Sequence, residues 1–135
     1  MRGLLDDIEA FPEYLNPKTP ENIRLWFGPA GAVTQLHCDT TNVLMAQVYG
    51  RKRITLIPSN QLQFVYSWRG AYSQVDCENP DFEKYPLFKN DTTIKLLLEP
   101  GEVLFLPVGW WHHVRALDVS ISLSMVDFVF PNVYQ

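Results

Sequence analysis

Cysteine is nearly absent from this chain, two residues in 135, and no apolar stretch is long enough to span a bilayer. Cys38 and Cys77 cannot build a disulfide framework, and they lack Cys-x-x-Cys spacing. Basic residues are the scarcer charge, 11 Lys and Arg against 15 Asp and Glu, for a formal net charge of −4. Apart from Arg51-Lys52-Arg53 there is no basic tract, which argues against a nucleic-acid partner. Within Met1–Ala10, Asp6, Asp7 and Glu9 interrupt the apolar core that a secretory leader needs. Neither export nor a membrane is therefore expected, and the expected location is cytoplasmic.

What is present suits one β-rich domain. With 135 residues, 47% of them hydrophobic, the chain can bury a core of its own. It is read as a single domain over 1–135, with an N-terminal helix and loop in 1–22 and a β core in 23–130. Leu4, Leu5, Ile8 and Phe11 follow the i, i+3, i+4, i+7 rhythm of one helical face, which Pro12 ends. Extended segments then succeed one another at Ile23–Phe27, Val33–Cys38, Val43–Tyr49 and Arg53–Ile57, punctuated by glycine and proline. A polar, aromatic stretch, 59–91, interrupts them, with a short helical turn expected after Asn79-Pro80, capped by Asn79 with Pro80 at its first position. Strands resume at Ile94–Leu98, Val103–Leu106, His113–Leu117 and Val119–Val126. In the last, Ser120, Ser122 and Ser124 alternate with Ile121, Leu123 and Met125. About eight short strands with Gly/Pro turns predict an all-β sandwich or barrel.

Two short motifs carry the chemistry. In Gln35-Leu36-His37-Cys38-Asp39, His37 and Asp39 are two residues apart, which on a strand puts both side chains on one face. Trp110-Trp111-His112-His113 offers a second imidazole far downstream. Two histidines and a carboxylate can occupy one face of an octahedral ion and leave positions open, the arrangement of non-heme Fe(II) oxygenases. Such sites commonly sit in a double-stranded β-helix, or jelly roll, which is the fold expected here. A lone His-x-Asp pair is more often structural; the two motifs together make the metal reading the stronger. Strand geometry alone does not choose between His112 and His113, because adjacent residues point to opposite faces.

The residues resemble the JmjC-domain hydroxylases, cupin-like oxygenases that use Fe(II) and 2-oxoglutarate. The resemblance runs through Leu25-Trp26-Phe27-Gly28-Pro29, His37-x-Asp39 and Gln47-Val48-Tyr49-Gly50-Arg51-Lys52-Arg53. It continues in Ser73-Gln74-Val75-Asp76, Asn79-Pro80-Asp81 and Tyr85-Pro86, and closes with Pro100-Gly101-Glu102-Val103-Leu104-Phe105-Leu106-Pro107 and Trp111-His112. It is strongest to the small asparaginyl and arginyl protein hydroxylases. The resemblance implies His37, Asp39 and His112 as the iron ligands and leaves His113 to packing. It implies Lys52 as the partner of the far carboxylate of 2-oxoglutarate, helped by Thr34 and by Ser124, with Ser120 and Ser122 on the same face. Read without the resemblance, Lys52 between Arg51 and Arg53 is an ordinary solvated lysine. Thr34 lies three residues before His37, so a bulge is required to bring both to one face.

Carried through, the resemblance implies hydroxylation of a C–H bond on a protein or peptide, with dioxygen consumed and succinate and CO2 released. Two other readings use the same residues: a non-catalytic cupin-like metal-binding module, and a zinc or manganese jelly-roll enzyme. Many relatives have an asparagine where this chain has Val43, and they carry strands upstream and helices downstream of the matched region. A weakened cosubstrate site is the expectation from both departures. Tyr66, Trp68 and Tyr72, in the long insertion, are candidate substrate contacts. The sequence leaves the oligomeric state open.

Overall fold

The computed structural model describes residues 13–16 and 22–132. The helix expected at Leu4–Phe11 lies outside the described residues. Among the described residues ten strands form two antiparallel sheets. They are β1 (Ile23–Gly28), β2 (Val33–Cys38), β3 (Val43–Tyr49), β4 (Lys52–Ile57) and β5 (Ser67–Trp68), then β6 (Tyr72–Ser73), β7 (Ile94–Leu98), β8 (Val103–Leu106), β9 (Trp111–Ala116) and β10 (Ser120–Met125). One sheet runs β1-β10-β3-β8 and the other β5-β6-β2-β9-β4-β7. Apart from the β5–β6 hairpin, neighbours in both orders are non-consecutive strands, as a jelly roll requires: β2 pairs with β9, and β1 with β10.

Alternation along each strand decides which side chains meet. Val43 and Met45 of β3, Ile54 and Leu56 of β4, Leu98, Leu106 and Val114 close the space between the sheets. Each fully buried aliphatic side chain there contributes roughly 1.5–3 kcal/mol. The opposite face of β2, β4 and β9 is apolar too. Leu36, Ile57 and Trp111 pack there beneath Val65, Val75, Cys77, Tyr85 and Phe88 of the insertion. The outer face of the four-stranded sheet packs Met125 against Leu15 and Phe128, with Leu44, Ala46 and Leu123 around them. Both sheets are therefore buried on two sides, at least in part.

Within the insertion the helical turn is displaced from its expected place. Asp81, not Asn79, caps it: the Asp81 carboxylate accepts from the backbone N–H groups of Glu83 and Lys84, each at 3.0 Å. A 3-10 turn over Pro86–Asn90 follows, with proline at its start where its missing N–H is not needed.

Gly50 links β3 to β4 at φ +68°, and a Cβ built there would lie 2.1 Å from the Val119 carbonyl oxygen. The left-handed conformation alone disfavours an L side chain by about 1–2 kcal/mol, and the clash adds to it. Gly50→Ala is expected to lower the thermal midpoint followed by circular dichroism. An unchanged midpoint would show that the β3–β4 and β9–β10 connections can separate freely.

Candidate metal centre and adjoining cavity

β2 and β9 lie side by side with His37 opposite His112. A cross-strand pair shares a face, so both imidazoles point between the sheets. Asp39, two residues beyond His37, joins them. One ligand atom from each of His37, Asp39 and His112 lies within 4.8 Å of the others. The His112 Nε2 is 3.7 Å from the Asp39 carboxylate, and the two imidazole centroids are 4.1 Å apart.

The imidazoles are oriented the same way. His37 Nδ1 lies 2.8 Å from the Gln35 carbonyl and His112 Nδ1 lies 3.1 Å from the Trp110 carbonyl. A carbonyl only accepts, so each Nδ1 carries a proton and each Nε2 is the ring atom left to face a ligand. Backbone partners of this kind fix the tautomer and direction of metal-binding histidines. Burial, then the neighbouring His37, pushes the His112 pKa down to about 4, which keeps that imidazole neutral and able to donate. Two imidazole nitrogens with one carboxylate suit a divalent transition ion of the iron or zinc type.

His113 points the other way. It is 1% exposed on the outer face, with its Nε2 3.9 Å from Glu78. Glu78 in turn receives the guanidinium of Arg115, with Nε 2.7 Å from both carboxylate oxygens. Arg115 holds the Glu78 carboxyl below its usual range. This group fastens the insertion to the back of β9, behind the candidate ligands.

A second set of bonds fastens the segment that carries Asp39 to the loop that leads into β9 and His112. The Val108 N–H donates to the Asn42 side-chain oxygen at 2.8 Å, and the Gly109 N–H to the Asp39 carbonyl at 3.0 Å. Asn132 receives the Asn42 N–H at 3.0 Å and donates to the Asn42 carbonyl at 3.1 Å, as a paired strand would. Asn42 stands one place before Val43, where many relatives have their asparagine, but nothing in the sequence short of knowing which loops meet pairs it with Asn132. Val43, beside them, is an apolar core residue opposite Leu106.

Further along the same face of β4 and β9 lies a cavity of about 100 Å³, with Thr34, Lys52 and Ser120 among its hydrogen-bonding side chains and Trp26, Val114 and Ala116 among its walls. Thr34 reaches it through a bulge. Between Thr34↔Val114 and His37↔His112, β2 advances three residues while β9 advances two. The bulge required by the sequence is therefore present, and it turns Thr34 to the face of His37. Lys52 is 8% exposed, and among the described residues it makes no ion pair. Burial lowers its pKa. An ammonium in that position gains from any anion that enters. The serine row of β10 is interior: Ser120, Ser122 and Ser124 are 2%, 0% and 7% exposed. Ser120 lines the cavity. Ser122 donates to the Gln47 side-chain oxygen at 2.7 Å. Ser124, the serine to which the resemblance points, instead accepts from the Trp26 indole N–H at 2.9 Å and is not among the cavity-lining residues.

Comparison with known proteins agrees with this geometry. A family model described as a cupin-like domain matches residues 1–127. Lysine-specific demethylase 8 of Xenopus tropicalis is 43% identical over 106 residues, 76% of this chain and 24% of that protein. Lysine-specific demethylase JMJ30 of Arabidopsis thaliana is 39% identical over 127 residues, 90% of this chain and 29% of that protein. The chain thus spans about a quarter of the length of these curated relatives. YcfD, a ribosomal oxygenase from Escherichia coli solved with cobalt and 2-oxoglutarate, superposes with a TM-score of 0.53 at 25% identity, over 82% of this chain and 24% of that one. The jelly roll, the motif order and the family match agree, and the chain belongs to the cupin-like family of JmjC domains.

Proposed function

We propose that this chain is the core of an Fe(II)- and 2-oxoglutarate-dependent oxygenase that hydroxylates a side chain of a protein or peptide. One observation carries the reading. A two-histidine, one-carboxylate cluster shares a face with a cavity whose single cation, Lys52, is buried with no acidic partner among the described residues. YcfD, with cobalt and 2-oxoglutarate in its structure, is the neighbour that supports the choice of cosubstrate.

His37 and His112 would hold the ion through Nε2 and Asp39 through its carboxylate. Lys52 would meet the far carboxylate of 2-oxoglutarate by a charge-assisted hydrogen bond, with the Thr34 and Ser120 hydroxyls completing its shell. When bound, the metal and 2-oxoglutarate supply the oxidising chemistry, with dioxygen as oxidant and succinate and CO2 as products. The protein contributes orientation. Val114 and Ala116 keep the cavity wall apolar, and the Trp26–Ser124 hydrogen bond holds the indole in place. A neutral His112 keeps a donor pair directed at the ion rather than a proton.

The test is succinate formed under air by the Fe(II)-loaded protein, with His37→Ala as the blank and a panel of Arg-, Asn- and Lys-containing peptides. Succinate above the blank is expected at millimolar 2-oxoglutarate, which corresponds to only about −4 kcal/mol of binding. Succinate no higher than the blank under every condition would favour the metal-binding module, the reading for which the apolar Val43 speaks. Zinc in place of iron after anaerobic purification would favour the third reading.

A further inference from the structure

The three candidate substrate contacts of the insertion, Tyr66, Trp68 and Tyr72, separate cleanly by position. Tyr66 is structural: its ring packs edge-on against Tyr85, 5.0 Å between centroids, and its hydroxyl accepts the Leu87 N–H at 3.0 Å. Trp68 and Tyr72 are elsewhere. β5 and β6 extend the six-stranded sheet past β2, with His37 opposite Tyr72 and Tyr72 opposite Trp68. Since His112 is opposite His37, four rings form one cross-strand row, His112, His37, Tyr72 and Trp68, all on the face that bears the candidate metal ligands. Tyr72 lies nearly parallel to the His37 ring, 19° between planes and 6.3 Å between centroids. It is 55% exposed and Trp68 is 47% exposed.

Those two large exposed rings sit beside the metal ligands, across β2 from the residues that line the cavity. The hairpin tip is anchored: the Cys38 N–H donates to the Ala71 carbonyl at 2.9 Å. At the tip, Arg69 lies over the Trp68 ring, 4.2 Å from its centroid, in a left-handed conformation at φ +51°. A non-glycine residue held there is under backbone strain, which recurs at ligand-binding positions. Among the described residues Arg69 makes no ion pair, although the chain as a whole is acidic.

We infer that the hairpin over residues 67–73 is a peptide-binding shelf, on which Tyr72 supports the residue to be modified and Arg69 selects an acidic residue on the same peptide. This rests on the oxygenase reading for what happens to the peptide, but not for its binding. The flat aromatic faces accept the stem of a side chain directed at the metal. The guanidinium, held over Trp68 at the end of the row, is a fixed positive charge toward which an extended acidic peptide is drawn. At about 3.3 Å per extended residue and about 4.8 Å between strands, the acidic residue lies two or three positions from the one on Tyr72.

The binding test uses the cobalt-loaded protein and fluorescein-labelled nine-residue peptides, with arginine, lysine or asparagine at the centre. Aspartate, alanine or lysine is placed two and three residues to either side. Fluorescence polarisation is expected to rank aspartate above alanine above lysine. Arg69→Ala should weaken the aspartate peptides about threefold to fivefold, the range of an exposed ion pair, and leave the alanine peptides unaffected. Arg69→Glu should invert the ranking. Tyr72→Ala should weaken every peptide about tenfold, whereas Tyr72→Phe, which keeps the ring face, should restore binding. An acidic preference that survives Arg69→Glu, or peptide binding untouched by Tyr72→Ala, would overturn the shelf. Succinate formation by the parent protein is scored separately, so loss of the oxygenase reading and loss of the shelf are distinct results.

Discussion

Replacing His37, Asp39 or His112 with alanine is expected to abolish stoichiometric Fe(II) binding, while His113→Ala retains most of it. The three share a face and their ligand atoms lie within 4.8 Å of one another, whereas His113 is on the back of β9 beside Glu78. Removing even an outer-shell partner of a metal ligand typically weakens a site 10–100-fold, so removing a ligand itself should exceed that range. Calorimetric titration under anaerobic conditions measures the affinities. Circular dichroism confirms that each variant is folded, a necessary control because His112 and His113 are both buried. Equal loss with His113→Ala would mean that the ligand set has been drawn on the wrong side of the strand.

Strand existence was legible wherever a segment was long enough to show a period. Val33–Cys38, Val43–Tyr49, Ile94–Leu98 and Val103–Leu106 form strands over the same residues from which they were read. β4 and β9 start earlier than expected, at Lys52 and Trp111, because charged or histidine-rich ends do not look like strand interior. β5 and β6, two residues each, are too short to carry any periodicity, and they exist because they pair with β2. Which face of a strand is the inside was the harder question. On β10 the serines face the interior and Ile121, Leu123 and Met125 face outward, where Met125 meets Leu15 and Phe128. Sequence alternation gives the two faces but not their assignment when both are partly covered.

The same limit applies to the candidate site. The His37–Asp39 pairing followed from a period of two, and its counterpart on β9 from a resemblance rather than from geometry. Thr34 was legible only as a requirement for a bulge, which the register between β2 and β9 supplies. The choice among Ser120, Ser122 and Ser124 turns on where each lies along β10 relative to the cavity, which is a matter of register with β1 and β3. The pairing of Asn42 with Asn132 was not legible because the two are separated by 90 positions and act mainly on backbone groups.

Lys52 gives the second large effect. Lys52→Met keeps most of the apolar stem and removes the charge, and it is expected to weaken 2-oxoglutarate binding by on the order of 2–5 kcal/mol, about 30-fold to several thousand-fold. The reasoning begins with register. On β4, Lys52 is opposite Ala116 of β9, and four residues further on Leu56 is opposite His112. At about 3.3 Å per residue the backbone at Lys52 is roughly 13 Å from the metal-bearing row. The lysine's four-carbon stem and a five-carbon dicarboxylate can together bridge that gap. Burial alone lowers the Lys52 pKa, and a bound carboxylate reverses this, so the ammonium and the dicarboxylate stabilise each other. At that separation the metal should scarcely sense the change, and Fe(II) affinity should stay within about threefold of the parent. Lys52→Met that binds 2-oxoglutarate as tightly as the parent would place the anchor elsewhere. Loss of both ligands together would instead mean that the side chain supports the fold of β4 and not the cosubstrate.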